Sequence, residues 1–175
     1  MGKKLVKTAK ARGHRVTWVE CPKDAETARD LEKKLKRELP THDALVMAAA
    51  VCDVRPKKVL ADKIKRTALG RIEVVPNPDI LANLAKRKKK GQIFIGFGLE
   101  SKNVLKSGAE KMKKKSLDAI LVQKATSKET PFGDKSINAF LLRRDEARVA
   151  IKNQPKRKIA VLIVQEVERL AQISK

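Results

Sequence analysis

Residues 42–66 read HDALVMAAAVCDVRPKKVLADKIKR, and how this stretch is read decides the fold. Its apolar run, 44–51, stops abruptly at Asp53. A basic segment follows, punctuated by Pro56 and closed by Lys63, Ile64, Lys65 and Arg66. An apolar run of this length between polar breakers suits a strand buried on both faces of a parallel sheet. In open α/β sheets ligands bind at the carboxyl ends of the strands. Asp53 and the lysines behind it therefore sit where a phosphate-bearing ligand is expected.

Upstream, residues 1–12 place Leu5, Val6 and Ala9 on one stripe, a helix that Gly13 stops. Residues 14–20 (HRVTWVE) alternate and are rich in β-branched side chains, the pattern of a strand, broken by Pro22. Ala28, Leu31, Leu35 and Leu39 keep helical spacing through 25–39, and Pro40 ends that helix.

Downstream, Pro56 permits either a short helix or an ordered loop over 57–66, and 72–75 reads as a short strand. Asn77-Pro78-Asp79 is a turn in which Asp79 or Asn77 caps a helix over 80–90. A second buried strand, 92–99, ends at Glu100. A helix over 101–115 follows, turning Val104, Leu105 and Met112 inward, then a third buried strand over 117–122. Residues 124–135 form a polar loop holding Pro131 and Gly133. Segments 137–143 and 147–151 make a hairpin around Arg144-Asp145-Glu146. Pro155 opens the last helix, with Ile159, Leu162, Ile163, Val167 and Leu170 at helical spacing.

This alternation predicts a doubly wound, mostly parallel Rossmann-like α/β sheet with a C-terminal antiparallel hairpin and a terminal helix, a single domain over 1–175. One feature departs from the pattern: such domains normally begin with a central strand whose first turn handles phosphate, and this chain begins with the helix that should follow it.

Lys plus Arg outnumber Asp plus Glu 42 to 20, a formal charge of +22. That surplus points to polyanions: nucleic acid, anionic membrane or phosphorylated metabolites. A solvated, Lys-rich surface of the kind hyperthermophiles favour accounts for it equally well. With one Trp, four Phe and no Tyr, a platform for stacking single-stranded bases is disfavoured. Cys21 and Cys52 lie in no ligand-like spacing and His14 and His42 are the only histidines, so no structural zinc site is expected. Free buried thiols in a reducing cytosol are expected instead. Neither a membrane-length apolar run nor a secretory signal is visible, which predicts a cytoplasmic protein. The sequence holds no Walker motif, and Gly96-Phe97-Gly98 lacks a third glycine. Two histidines without context assemble no nucleophilic relay. Phosphates are left to helix N-termini and to three basic clusters: Lys57/Lys58, Lys63/Lys65/Arg66 and Lys111/Lys113/Lys114/Lys115.

Five motifs stand in order: AAAVCDVRP at 48–56, KIKR at 63–66, NPDIL at 77–81, GFGLE at 96–100 and KMKKKSLD at 111–118. Together they resemble phosphopantothenoylcysteine synthetase, the synthetase half of the bifunctional coenzyme A biosynthesis flavoprotein, over nearly the whole chain. The resemblance implies that 4′-phosphopantothenate is activated by a nucleotide, CTP in most bacteria, as an acyl-cytidylate and joined to cysteine. Mg²⁺ is the implied cofactor, with no ligands identified for it. A homodimer is implied, and a flavin-dependent decarboxylase as partner. Position by position, Met47, Ala48, Ala49 and Asp53 are implied to line the nucleotide pocket. Lys63 resembles the family's essential lysine, with Arg66 replacing the last lysine of its motif. Pro78, Asp79, Ile80, Leu81 and Phe97 resemble positions at the base and ribose, and Lys111 and Lys115 resemble triphosphate ligands.

Elementary chemistry agrees. Nucleotidyl transfer spreads negative charge over phosphoryl oxygens, which fixed ammonium groups and Mg²⁺ stabilise. A helix start after Asn77 offers free N–H donors, and Lys111 and Lys115, four apart, project from one helix face. Core packing by Phe97, capping by Asp79 and a surface role for Lys113 and Lys114 are the plainer alternatives. The sequence also departs from the family. Val54 replaces an aromatic, Cys52 a small residue and Gln123 an Asn, and the region from Phe132-Gly133-Asp134 to Asn138 has altered spacing. Met1-Gly2 aligns just after the family's Ser-Ser-Gly segment. The first strand, its Gly-Gly-Thr turn and an essential Asn, roughly thirty residues for a βα unit, therefore have no counterpart here. The rival expectation is a non-catalytic basic module that binds nucleic acid or another subunit.

Overall fold

The structure, a computed structural model, describes residues 1–59, 62, 70–125, 133 and 135–173. Helix α1 (Gly2–Ala11) ends in a Schellman turn: Gly13 has φ +86°. Its N–H donates to Lys10 O, and His14 N–H donates to Ala9 O. Helix α2 (Ala28–Glu38) starts in a capping box. Thr27 Oγ1 accepts from Asp30 N–H at 3.2 Å, while Asp30 Oδ2 accepts from Thr27 N–H at 3.0 Å. The box sets the helix start three residues later than the apolar stripe alone suggests. A 3₁₀ turn, Leu39–Thr41, carries Pro40 and leads into the first strand.

Five strands form the main sheet: β1 (Ala44–Met47), β4 (Ile93–Glu100), β5 (Ala119–Lys124), β6 (Ile137–Arg143) and β7 (Arg148–Gln154), in that order. β1, β4 and β5 run parallel, and β6 and β7 form the antiparallel hairpin. A separate ribbon pairs β2 (Val54–Pro56) with β3 (Val74–Pro76). Helices cover both sheet faces. α2, α3 (Ile80–Ala85) and α4 (Val104–Lys114) enclose one core around Leu84, Phe94 and Ile120. α1 and α5 (Lys156–Ile173) enclose the other around Ile95, Leu141 and Ile163. The doubly wound, mostly parallel layout with its hairpin and terminal helix is the one read from the sequence.

Four expectations change. Residues 14–20 have a strand's side-chain pattern but make no ladder with any described strand. Alternation prepares a segment for a sheet, and only a neighbour of matching register makes it one. These residues are held by side chains instead: Thr17 bonds His42 Nε2 at 2.8 Å, and Val19 packs into the first core. The apolar run 44–51 pairs only as far as Met47; beyond it the chain leaves the ladder, and Ala49 and Cys52 are exposed. Both cysteines are free but exposed rather than buried, Cys21 beside Pro22 and Cys52 in the turn after β1. The helix foreseen over 80–90 stops at Ala85, because the next residues are drawn to the sheet edge. Lys88 Nζ bonds Asp118, and Lys89 Nζ bonds Pro40 O at 2.9 Å. Residues 63–69, and with them Lys63, Lys65 and Arg66, lie outside the described residues, as do 126–132 and Asp134.

Helix α4 lies close against β5. A Cβ on Gly108 would fall 2.7 Å from Val122 Cγ1 and 2.9 Å from Leu142 Cδ1, so only glycine permits this approach. That contact fixes the height of the α4 lysines over the sheet.

Candidate functional site

The carboxyl ends of β1, β4 and β5 share one edge of the sheet, and the turns that leave it are tied together by Asn77. Asn77 Nδ2 donates to Cys52 O at 2.9 Å and to Val54 O at 3.3 Å, and its backbone N–H donates to Asp53 O at 2.8 Å. Arg55 Nη1 donates to Asn77 Oδ1 and to Pro76 O. The residue before a proline is held extended, which lets Asn77 span from the turn after β1 to the turn before α3. Asp53, Pro78 and Asp79 are brought into one region in this way, with Asp53 exposed and Pro78 and Asp79 half-buried.

Asp79, not Asn77, is the cap of α3. Its Oδ1 accepts from Ala82 N–H at 3.2 Å and from Lys115 Nζ at 3.0 Å. Burial pushes its carboxyl up, but the Lys115 hydrogen bond, the Ala82 N–H and the charges of Lys115 and Lys114 outweigh burial and hold it below the usual aspartate range. One of the free N–H donors expected at this helix start is thus already taken. Four residues farther back on the same face of α4, Lys111 ion-pairs with Glu100, the last residue of β4. Lys115 and Lys111, one turn apart, are thus each paired with an acid from another element, Asp79 and Glu100, a lysine row on the α4 side of the sheet. Lys113 and Lys114 are exposed, as the surface alternative for them holds.

The remaining positions divide by sheet face. Met47, Ile80 and Leu81 are buried in the α2–α3–α4 core, so only their backbone can meet a ligand. Ala48 and Phe97 pack toward the α1–α5 core on the opposite face. Met47 is paired with Gly96, which makes Ala48 and Phe97 the next residues along neighbouring strands. Gln123, at the end of β5, follows Leu121 toward that same side by strand alternation. Its Nε2 is buried without a hydrogen-bond partner among the described residues. The structure thus gathers the acid–lysine row on one face and Ala48, Phe97 and Gln123 on the other, meeting only at the strand ends. Lys63 lies outside the described residues.

Two residues here escape a reading by sequence. Glu100 has a signal, an acid closing an apolar run just as Asp53 does. Asn77 reads in the sequence only as a cap. Among the described residues no group of three His, Cys, Asp or Glu side chains stands close enough to hold a metal ion. No helix among them is long and apolar enough to cross a membrane.

The family model for the DNA/pantothenate metabolism flavoprotein C-terminal domain matches residues 1–170. The coenzyme A biosynthesis bifunctional protein CoaBC of Borreliella burgdorferi is 34% identical over 125 residues, which cover 70% of this chain and 31% of that protein. The CoaBC protein of Vibrio parahaemolyticus is 27% identical over 184 residues, 97% of this chain and 46% of its own length. The chain therefore spans less than half the length of these relatives. A DNA/pantothenate metabolism flavoprotein from Streptococcus pneumoniae superposes with a TM-score of 0.72 at 15% identity, covering 97% of this chain and 85% of that one. The Cab2 mutant H337A in complex with phosphopantothenate-cysteine superposes at 0.65 and 14% identity, covering 98% of this chain and 58% of that one. At these identities the two superpositions speak to the fold.

Proposed function

From the premise that the chain belongs to the DNA/pantothenate metabolism flavoprotein C-terminal domain family, we propose that it is a phosphopantothenate–cysteine ligase domain of coenzyme A biosynthesis, using CTP. The observation that carries this reading is the pair of ion pairs, Asp79–Lys115 and Glu100–Lys111, that α4 forms beside a parallel sheet, with Glu100 at the carboxyl end of β4. Two lysines one helical turn apart on one helix face can both reach a single polyphosphate, which dispersed surface lysines cannot.

In this reading the carboxylate of 4′-phosphopantothenate attacks the α-phosphorus of CTP, and pyrophosphate leaves. The amine of cysteine then attacks the acyl carbon of the acyl-cytidylate, and CMP leaves with the bridging oxygen. Lys111 and Lys115 neutralise charge on the departing phosphates, and Lys63 is assigned to the reacting phosphoryl group. Ala48, Ala49, Asp53, Pro78 and Phe97 surround base and ribose, while Met47, Ile80 and Leu81 contribute backbone alone. The donor set suits Mg²⁺ only as an ion carried by the nucleotide, since no acid cluster could cage it among the described residues. When bound, it would add positive charge to the triphosphate beside Asp79 and Glu100.

A homodimer belongs to the same proposal. The β2–β3 ribbon exposes Val54 at 48% and Val74 at 55%, and Ile72 just before β3 is exposed at 62%, an apolar surface that a second copy can cover. The test is pyrophosphate release with CTP, phosphopantothenate and cysteine by the chain extended at its N-terminus with the family's Gly-Gly-Thr strand and Ser-Ser-Gly turn. Release that is lost in Lys63→Ala supports the reading. No release, or release indifferent to Lys63→Ala, overturns it.

A further inference from the structure

Glu100 ends the strand that carries the glycine pair, and its side chain turns back along the sheet toward α4. A Cβ at Gly98 would stand 3.6 Å from Glu100 Oε1, an ordinary contact distance, which places the carboxylate back along β4 beside Gly98. The carboxylate is only 13% exposed, while Lys111, its ionic partner, is 45% exposed. Oε1 is buried and accepts no well-directed hydrogen bond from the described residues. A carboxylate this far from water has to be compensated, and among the described residues Lys111 is the cation that pairs with it. The acid thus lies beneath the ammonium, and the ammonium faces solvent.

We propose that Glu100 is the built-in counter-ion of the phosphate-binding lysine Lys111 and limits how tightly the site holds triphosphate and pyrophosphate. This rests on the reading of Lys111 as a phosphate ligand. A phosphate arriving from solvent meets the outer side of the ammonium with the Glu100 carboxylate just behind it. Two negative groups then share one cation. Their repulsion acts through a partly buried medium in which charges are weakly screened. Against it stands the loss of the lysine's fixed orientation when the acid is removed, a smaller effect for a side chain already half exposed. The Coulomb effect wins, so neutralising Glu100 tightens anion binding. In a ligase this device has a purpose: pyrophosphate must leave before cysteine can finish the reaction, and a lysine that already owns a counter-ion releases it readily. Asp79 stands to Lys115 in the same relation but is also committed to capping α3, so Glu100 is the cleaner place to test the idea.

The experiment is calorimetric titration of the chain with CTP·Mg²⁺ and, separately, with pyrophosphate, for wild type, Glu100→Gln, Glu100→Asp and Lys111→Ala. Lys111→Ala should weaken both ligands about tenfold. If it changes neither, or if wild type binds neither ligand, the reading of the lysine fails and the counter-ion role with it. With Lys111 upheld, Glu100→Gln should bind both ligands roughly tenfold more tightly, and Glu100→Asp, which keeps the charge, should stay within about threefold of wild type. Glu100→Gln affinities unchanged or weakened would overturn the counter-ion role while leaving Lys111 standing. A gain reproduced by Glu100→Asp would assign the effect to side-chain shape and overturn it equally. Should Glu100→Gln fail to fold, Glu100→Ala, which also removes the charge, takes its place: roughly tenfold tighter binding of both ligands supports the role, and unchanged or weakened binding refutes it.

Discussion

Gly108→Ala sets two opposed effects against each other, and the structure decides between them. In a helix interior, alanine is favoured over glycine by about 1 kcal/mol. At this position, however, the new methyl would sit 2.7 Å from Val122 Cγ1 and 2.9 Å from Leu142 Cδ1, where carbon atoms ordinarily rest about 3.5–4.0 Å apart. Val122 is fully buried and Leu142 nearly so, and a valine in a strand has little rotamer freedom with which to retreat. Overpacking of this kind costs roughly 1–3 kcal/mol. The net expectation is a destabilisation of about 1 kcal/mol, seen as a fall in Tm of roughly 2–4 °C for a domain of this size. Urea unfolding followed by far-UV circular dichroism measures it. Val122→Ala should relieve the clash, so the double variant should be more stable than the sum of the single effects by about 1 kcal/mol. Because the displacement would lift Lys111 and Lys115 with the helix, CTP affinity should fall in Gly108→Ala and recover in the double variant. A Gly108→Ala protein as stable as wild type, or strict additivity with Val122→Ala, would refute the close contact between α4 and β5.

Glu166 is 2% exposed and takes hydrogen bonds from Arg143 at 2.8 Å and Arg169 at 2.6 Å. Glu166→Ala should cost about 3 kcal/mol in urea unfolding, the low end for breaking a buried pair, because both arginines retain some access to water. Burial raises the Glu166 carboxyl, but the hydrogen bonds and charges of Arg169 and Arg143 outweigh it and lower the pKa. Its stabilisation is therefore present above the unfolded glutamate pKa and is lost as pH falls through the folded one, so the gap between wild type and Glu166→Gln should close in acid. Thr27→Ala removes the cap of α2 and should cost about 1 kcal/mol, again by urea unfolding. Lys115→Ala breaks a partly exposed pair with Asp79 and should alter stability by less than about 1 kcal/mol, yet weaken CTP binding in calorimetry.

The buried elements are legible because their signals are local. The apolar run ending at Glu100 is β4, the 137–143 segment is β6, and the stripe through Ile159, Ile163 and Val167 is α5. What escapes depends on neighbours. Residues 14–20 have the composition of a strand but no partner in a described sheet, and the run 44–51 is cut at Met47 because β4 pairs no farther with it. The cysteines lie exposed because the turns that hold them leave the layers, which no count of residues reveals. At the site, the spacing of Lys111 and Lys115 is enough to place both on one face. Their partners, Glu100 and Asp79, come from other elements, and helical spacing is silent about those. Strand alternation does carry one further clue: Phe97 and Glu100, three apart on β4, must face opposite sides, and so Phe97, proposed to meet the base, and the lysine row are divided by the sheet.

The central claim is that the carboxylate of phosphopantothenate is activated by CTP on this chain. It is tested most directly with phosphopantothenate labelled with ¹⁸O in its carboxylate, turned over with CTP and cysteine by the N-terminally extended chain. An acyl-cytidylate requires one labelled oxygen to appear in the phosphate of the CMP released, which mass spectrometry reads. Product formed with unlabelled CMP, or no CMP at all, would contradict the account.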